Sequence, residues 1–301
     1  MAAWGQAAPA PANPRPSQNQ ARPGRPDSVI VRDATFQSRS LGREMKYRIV
    51  LPSDYQTSSR RYPVLYLLHG LTGHYEDWES RTHLDDYLAG LPLIVAMPEG
   101  GDSWYANSAS QPAEKWEDYI IKDFIAEIDR QFRTIQTRHA RAIAGLSMGG
   151  YGAMKFALKY PGTFIFAVSF SGAEVVVHDP NYKIPFGQKY VDQIHDIFGD
   201  GMTPTRTDND IFELAKKRTP AQLPYLVVTC GTEDGLLASN REFVAVLQQQ
   251  KIRYEYHESA GAHTWQYWDE QLPYSLSLLM DRYFQEPRLP RTPSKVAKRS
   301  R

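Results

Sequence analysis

Residues 142–150, AIAGLSMGG, decide how this 301-residue chain folds. Three small apolar residues are typical of a short buried strand, and a helix is predicted to begin near Gly149. Between them, residues 145–149 fit the pattern G-x-S-x-G, which places a serine on a sharp turn from strand to helix. Small neighbours let the helix approach the sheet and let the serine backbone take a strained conformation. We therefore predict that Ser147 projects from the carboxyl end of a strand.

Strands alternate with helices on both sides of this turn. The segments before it begin with apolar and polar side chains in alternation, which predicts an antiparallel pair at residues 35–37 and 45–49. Later runs are continuously apolar, as is typical of parallel strands covered by helices on both faces. These runs are residues 63–68, 93–97, 165–170 and 225–229, and a further strand is predicted at residues 252–256. The sequence thus predicts an α/β fold with a mostly parallel central sheet, whose reactive residues lie at the carboxyl ends of strands.

Amphipathic segments supply the covering helices. In residues 116–132, apolar side chains recur at every fourth position, which predicts a helix packed on one face of the sheet. Residues 174–223 interrupt the alternation with polar, glycine- and proline-containing sequence, so we predict an insertion over the sheet. Short helical patches are expected there at residues 191–198 and 210–217. Three further helices are predicted, at residues 149–160, at residues 239–250 and, with a kink, at residues 265–284.

The two ends of the chain differ from this pattern. One domain is predicted over residues 27–286. Residues 1–26 are rich in Ala, Pro, Gln and Asn, which predicts a disordered leader, and the basic residues 287–301 are predicted to form a disordered tail. The Ala/Pro-rich start resembles what remains once an export signal is removed. Secreted, periplasmic and cytoplasmic locations are therefore all left open.

Composition excludes several classes of partner and site. A net charge of +1 gives no overall electrostatic attraction to nucleic acid or to an anionic membrane. No run approaches the length of a transmembrane span. The single cysteine, Cys230, excludes an intrachain disulfide and a multi-cysteine metal site, and no metal-ligand spacing is present. We expect no metal and no cofactor, and the oligomeric state is left open.

Ser147 needs a base and an acid to become a nucleophile, because a serine hydroxyl is barely ionised at neutral pH. His263 follows the predicted strand at residues 252–256, and Asp234 follows the one at residues 225–229, so both lie at carboxyl ends. Their chain order of Ser, Asp and His is the one that this strand-turn-helix motif requires. Glu233 is the rival acid, but Gly235 leaves room for a turn that favours Asp234.

Two backbone N–H groups are candidates for an oxyanion hole. Met148 supplies one, because it follows the nucleophile. Leu71 supplies the other, in the glycine-rich loop at residues 69–73 that follows the strand at residues 63–68. We expect His69 in that loop to be structural. Donors of this kind are worth about 3–4 kcal/mol each in an acyl-transfer transition state.

With these residues, the chain resembles the esterase family of α/β-hydrolases. The resemblance covers residues 29–284, and the family includes tributyrin esterases, S-formylglutathione hydrolases, feruloyl and acetyl esterases and, more distantly, mycolyltransferases. It implies an α/β-hydrolase fold, a metal-independent serine esterase and a pocket lined by Trp104, Tyr105 and Trp268. The alternative is that these aromatics are core residues. The matching motifs are YPVLYLLHG (62–70), SWY (103–105), AGLSMGG (144–150), GTED (231–234) and GAHTWQYW (261–268).

Three hypotheses for function remain at this stage. The first is hydrolysis of short-chain or aryl esters of feruloyl or acetyl type, through an acyl-Ser147 intermediate and with a small-molecule or carbohydrate-linked substrate. The second is transfer of the acyl group to a sugar or alcohol. The third is a non-catalytic binding domain, which the presence of all three triad residues disfavours. The insertion at residues 174–223 is expected to set substrate choice.

Overall fold

A central eight-stranded sheet organises the protein, whose computed structural model describes residues 28–182 and 187–285. The strand order is β1-β2-β4-β3-β5-β6-β7-β8, in which β2 pairs antiparallel with β1 and β4 and all other neighbours are parallel. This confirms the predicted mostly parallel α/β sheet. The predicted leader and tail lie outside the described residues. The strands are β1 Ile30–Gln37, β2 Glu44–Leu51, β3 Val64–Leu68, β4 Ile94–Pro98, β5 Arg141–Leu146, β6 Phe166–Phe170, β7 Tyr225–Gly231 and β8 Tyr254–Ser259.

Helices cover both faces of the sheet. Successive side chains of a strand point to opposite faces, and β3 shows this because Tyr66 belongs to one apolar core while Leu65 and Leu67 belong to the other. The α-helices are α1 Asp77–Arg81, α2 Leu84–Tyr87, α3 Trp116–Asp118, α4 Ile125–Gln131, α5 Met148–Lys159, α6 Val175–His178, α7 Gln188–Phe198, α8 Pro204–Asn209, α9 Ile211–Lys216, α10 Leu237–Gln249 and α11 Trp265–Gln285. Helices α4, α5, α9 and α10 contribute to the first core, and α1, α2 and α11 contribute to the second.

The helix predicted at residues 116–132 contains a wider turn that was not predicted from the sequence. A π-helical segment, Tyr119–Phe124, joins α3 to α4. In an α-helix of 3.6 residues per turn, side chains four positions apart drift by about 40° at each step. A π turn has more residues per turn and corrects this drift. Ile120, Phe124 and Ile128 thereby stay on the buried side.

Strand β8 begins later than the sequence indicated. The prediction of a strand at residues 252–256 is wrong in its bounds, since β8 spans Tyr254–Ser259. Ile252 instead closes the end of α10: its N–H bonds to Leu247 O at 3.0 Å and its side chain is buried. The apolar residue that looked like a strand start is a helix-terminating contact.

The insertion at residues 174–223 is helical in the part that is described. The two predicted patches coincide with α7 and α9, while α6 and α8 were not foreseen. Arg206 in α8 ties the insertion together, because its guanidinium is fully buried and donates to the carbonyls of Val176, Val177 and Gly199. Across residues 28–182 and 187–285, no helix is both long and apolar enough to span a bilayer.

Candidate active site

Ser147 sits in a strained backbone conformation between β5 and α5. Its φ of 53° and ψ of −117° lie outside the regions that side-chain-bearing residues favour. Such a conformation costs about 1–3 kcal/mol and persists only where the surroundings enforce it. Here the last residue of β6 and the segment that follows it hold both backbone groups of the serine. Ser147 N–H donates to Phe170 O at 2.9 Å, and Ala173 N–H donates to Ser147 O at 3.0 Å.

The two motif glycines are required because α5 begins almost in contact with the sheet. A Cβ on Gly145 would lie 2.4 Å from backbone atoms of Gly149. A Cβ on Gly149 would lie 2.5 Å from the carbonyl oxygen of His69. Neither neighbour is a flexible side chain that could move away. The close approach of α5 to the sheet thus requires both glycines of the G-x-S-x-G pattern.

Three side chains from different loops form one hydrogen-bonded chain. His263 Nε2 lies 3.0 Å from Ser147 Oγ, and His263 Nδ1 lies 2.9 Å from Asp234 Oδ2. These residues follow β5, β7 and β8, so the carboxyl ends of three strands supply them. The structure therefore brings together the serine, the histidine and the acid that the sequence nominated.

The environment of Asp234 favours its ionised form. Burial raises the pKa of this carboxyl, but the hydrogen bond and charge of His263 and the N–H of Leu236, at 2.8 Å, outweigh burial and leave the pKa below its usual value. An ionised Asp234 can only accept from His263, so the proton lies on Nδ1. Nε2 is then free to accept the proton of Ser147 Oγ, which is the arrangement that a nucleophilic serine requires.

Glu233, the rival acid, faces away from the hydrogen-bonded residues Asp234, His263 and Ser147. Its carboxylate accepts the N–H of Gly261 and the hydroxyl of Thr232, and the side chain is exposed. Glu233 thus braces the loop that carries His263 and does not contact its ring.

The loop after β3 approaches the serine closely. A Cβ on Gly70 would lie 3.4 Å from Ser147 Cβ, and the loop turns back through a bond from Gly73 N–H to Gly70 O of 3.1 Å. Within the described residues, neither Leu71 N–H nor Met148 N–H donates to a protein acceptor. Both predicted donors are therefore available at this end of the sheet.

All three predicted pocket aromatics are buried, and they pack against different residues. Trp268 is the one in ring contact with His263, with centroids 5.0 Å apart and planes at 90°. Trp104 is buried against Tyr151. Tyr105 has no exposed surface, and its hydroxyl donates to His69 O at 2.9 Å. The structure thus places Tyr105 in the core that supports the loop after β3, not at an accessible wall.

Sequence reasoning missed a buried carboxyl group beneath the serine. Glu174 is fully buried, and Ser169 Oγ donates to its Oε1 at 2.7 Å. The two residues bracket the segment that holds the Ser147 backbone. Asn240 also anchors that segment, because its Nδ2 donates to Gly172 O at 2.9 Å. An acidic residue four positions after a buried strand was the available signal, but it coincided with the start of the polar insertion.

No metal cluster accompanies these residues. Among the side chains that the structure describes, no three His, Cys, Asp or Glu residues are grouped so that they could hold a metal ion. The chemistry that this arrangement can perform is proton transfer from a serine to a histidine, next to two unused backbone donors.

Comparisons with known proteins agree on one family. The family model described as "Putative esterase" matches residues 38–279. An esterase of Mycobacterium tuberculosis is 34% identical over 257 residues, which cover 76% of this chain and 54% of that protein. An acetyl esterase of Caldicellulosiruptor saccharolyticus is 26% identical, and the match covers 81% of this chain and 96% of that enzyme. The chain thus spans about half the length of the first of these relatives.

Among solved structures, a fluorophosphonate-binding serine hydrolase of Staphylococcus aureus, FphF, superposes with a TM-score of 0.75. It is 26% identical, and the superposition covers 84% of this chain and 98% of that one. A superposition of this extent, together with the mostly parallel eight-stranded sheet, shows that the fold is an α/β-hydrolase fold.

Proposed function

The chain belongs to the esterase family of α/β-hydrolases, and from that premise we propose that it hydrolyses carboxylic esters through an acyl-Ser147 intermediate. The observation that carries the proposal is the chain of hydrogen bonds from Asp234 through His263 to Ser147 Oγ. An arrangement of this kind makes a serine hydroxyl nucleophilic at neutral pH.

In the acylation step, Ser147 Oγ attacks the ester carbonyl carbon while its proton passes to His263 Nε2. The resulting oxyanion accepts hydrogen bonds from Leu71 N–H and Met148 N–H, and the charge of Asp234 stabilises the imidazolium. The C–O bond to the alcohol then breaks, and His263 returns the proton to the departing oxygen. The products are a free alcohol and an ester of Ser147.

Deacylation repeats these steps with water as the nucleophile. His263 takes a proton from water, the hydroxyl oxygen attacks the acyl carbon, and the bond to Ser147 Oγ breaks as the serine recovers its proton. A sugar or alcohol in place of water would make the enzyme an acyltransferase. Access of water to the acyl-enzyme decides between the two outcomes.

We propose short-chain or aryl esters of acetyl or feruloyl type as the substrates. The acetyl esterase relative supports the short acyl group. Tyr182, in the insertion at residues 174–223, is half-buried, and burial together with the charge of Asp234 raises the pKa of its hydroxyl. Trp268, packed on His263, is a candidate for contact with an aryl group.

The test is a panel of p-nitrophenyl esters from acetate to decanoate, with methyl ferulate and acetylated xylan, on wild type and Ser147→Ala. Ser59→Ala, an exposed serine on another loop, is the matched control. Hydrolysis that peaks at short chains or at ferulate, disappears in Ser147→Ala and persists in Ser59→Ala is expected. Full activity in Ser147→Ala would exclude the mechanism. Acyl products formed on an added alcohol, with little free acid, would favour transfer.

A further inference from the structure

His69 makes two hydrogen bonds that fix which of its nitrogens carries the proton. The ring is buried, with 1% of its surface exposed. Gly100 N–H points at Nε2 from 2.8 Å, and a backbone N–H can only donate, so Nε2 must accept. Nδ1 lies 2.8 Å from Gly70 O, and a carbonyl can only accept, so Nδ1 must donate. Both contacts are satisfied only by the neutral ring with its proton on Nδ1.

The carbonyl that His69 holds belongs to the same peptide unit as Leu71 N–H. Gly70 O accepts from His69 Nδ1 and also from Gly73 N–H at 3.1 Å. Because a trans peptide is planar, its N–H points opposite to its C=O. Two donors that fix the direction of Gly70 C=O therefore also fix the direction of Leu71 N–H.

The turn at residues 70–73 packs closely around the bond from His69 Nδ1 to Gly70 O. A Cβ on Gly73 would lie 3.1 Å from Gly70 O and 3.3 Å from His69 Nδ1, so a side chain at position 73 would press on the bonded pair. The preceding peptide is held as well, since Tyr105 hydroxyl donates to His69 O at 2.9 Å. The loop is thus anchored at consecutive carbonyls by two buried side chains.

We propose that His69 is a positioning residue that, as the neutral Nδ1–H tautomer, aims Leu71 N–H at the oxyanion. This rests on the proposed function, because an oxyanion forms only if Ser147 attacks an ester. His69 itself touches neither the substrate nor the proton-transfer chain.

Glu99 is the residue that could favour a protonated His69 over the neutral ring. Its Oε1 lies 3.5 Å from His69 Nε2, so an imidazolium could form an ion pair there. Nε2–H would then face Gly100 N–H, two donors directed at each other, and one of them would have to move. Glu99 already accepts from Gly101 N–H at 3.0 Å and contacts His74 Nδ1 at 3.3 Å. The shorter contact with Gly100 favours the neutral ring.

The direct test is the tautomer of His69 in the wild-type protein, read from long-range ¹H–¹⁵N correlation spectra of ¹⁵N-histidine protein at neutral pH. His69→Phe identifies the resonances of His69 by their loss. Should that variant fail to fold, Tyr105→Phe, which alters one contact of the His69 backbone, identifies them by their shift. A neutral ring with its proton on Nδ1 is expected. A neutral ring protonated on Nε2, or an imidazolium, would overturn the proposal.

The functional consequence is tested with His69→Phe beside His74→Phe, an exposed histidine of the same loop. Removing a whole oxyanion donor costs roughly 10²- to 10³-fold in kcat, so misaligning one should cost about 10- to 100-fold with KM within about twofold. Affinity for a trifluoromethyl ketone, which forms an oxyanion on Ser147, should fall by a similar factor. His74→Phe should keep wild-type values.

The two proposals fail in different ways. If wild type neither hydrolyses esters nor binds the ketone, the esterase proposal fails, and the spectra still report the tautomer. If wild type is active and His69→Phe keeps its kcat and ketone affinity, the positioning role fails while the esterase proposal stands.

Discussion

Replacing Glu174 with glutamine should remove a pH-dependent loss of stability. Burial away from water raises the pKa of this carboxyl to about 7, and the bond from Ser169 offsets only part of the effect. Within the part of the chain that is described, the second carboxyl oxygen has no hydrogen-bond partner. Ionisation would therefore place an uncompensated charge beneath the segment that holds the Ser147 backbone.

The magnitude follows from the difference between the folded and unfolded pKa values. The ordinary pKa is 4.5, and in the folded protein it is about 7. Each tenfold change in proton affinity is worth about 1.4 kcal/mol, so the difference corresponds to roughly 3 kcal/mol. Below pH 4.5 both states are protonated. Between pH 4.5 and 7 the unfolded chain releases its proton first, so the free energy of unfolding decreases, and above pH 7 this contribution is constant.

The assay is urea denaturation of wild type and Glu174→Gln at several pH values from 4.5 to 8, with exposed Glu242→Gln as the control. The free energy of unfolding of Glu174→Gln should gain roughly 3 kcal/mol relative to wild type over this range, while Glu242→Gln should stay parallel to wild type. Curves for Glu174→Gln and wild type that remain parallel within about 1 kcal/mol would refute the reasoning, since glutamine cannot ionise.

Two further predictions concern the site itself. Asp234→Asn should lower kcat by about 10³- to 10⁴-fold, because an amide no longer holds the Nδ1–H form of His263. In the same ester assay, the kcat of the control Glu233→Gln should stay within about threefold of wild type. Equal losses in the two variants would mean that Asp234 is not the acid that orients His263. Gly149→Ala should lower the free energy of unfolding by about 1–3 kcal/mol and abolish hydrolysis, because its Cβ meets His69 O at 2.5 Å. Gly162→Ala, where a Cβ meets nothing within 4 Å, is the control, and a neutral Gly149→Ala would show that α5 does not approach the sheet as described.

Much of the fold and the three hydrogen-bonded site residues could be predicted, because short local sequence patterns identify them. Runs of apolar residues identify the parallel strands, and the rule that reactive residues follow strands places Ser147, Asp234 and His263 at one edge. The glycines at positions 145 and 149 identify the turn itself. Each of these inferences needs only the periodicity and order of the chain.

What could not be predicted depends on contacts between distant residues. The π segment Tyr119–Phe124 keeps apolar side chains that are four residues apart on the face of the helix that packs against the sheet. The sequence of the helix does not show where the sheet lies. Ile252 has the composition of a strand residue, and only its packing beneath α10 shows its role. The burial of Glu174 and Tyr105 likewise depends on what folds over them. Propensity and pattern do not report burial of a single polar group.

The most direct test of the central claim is to expose the folded protein to a fluorophosphonate and map the modified peptide by mass spectrometry. An activated serine attacks this reagent and an ordinary one does not, so a single stable adduct on Ser147 is predicted, formed far more slowly in His263→Ala. An adduct on another residue, or labelling of Ser147 at an unchanged rate in His263→Ala, would contradict the role assigned to this hydrogen-bonded chain.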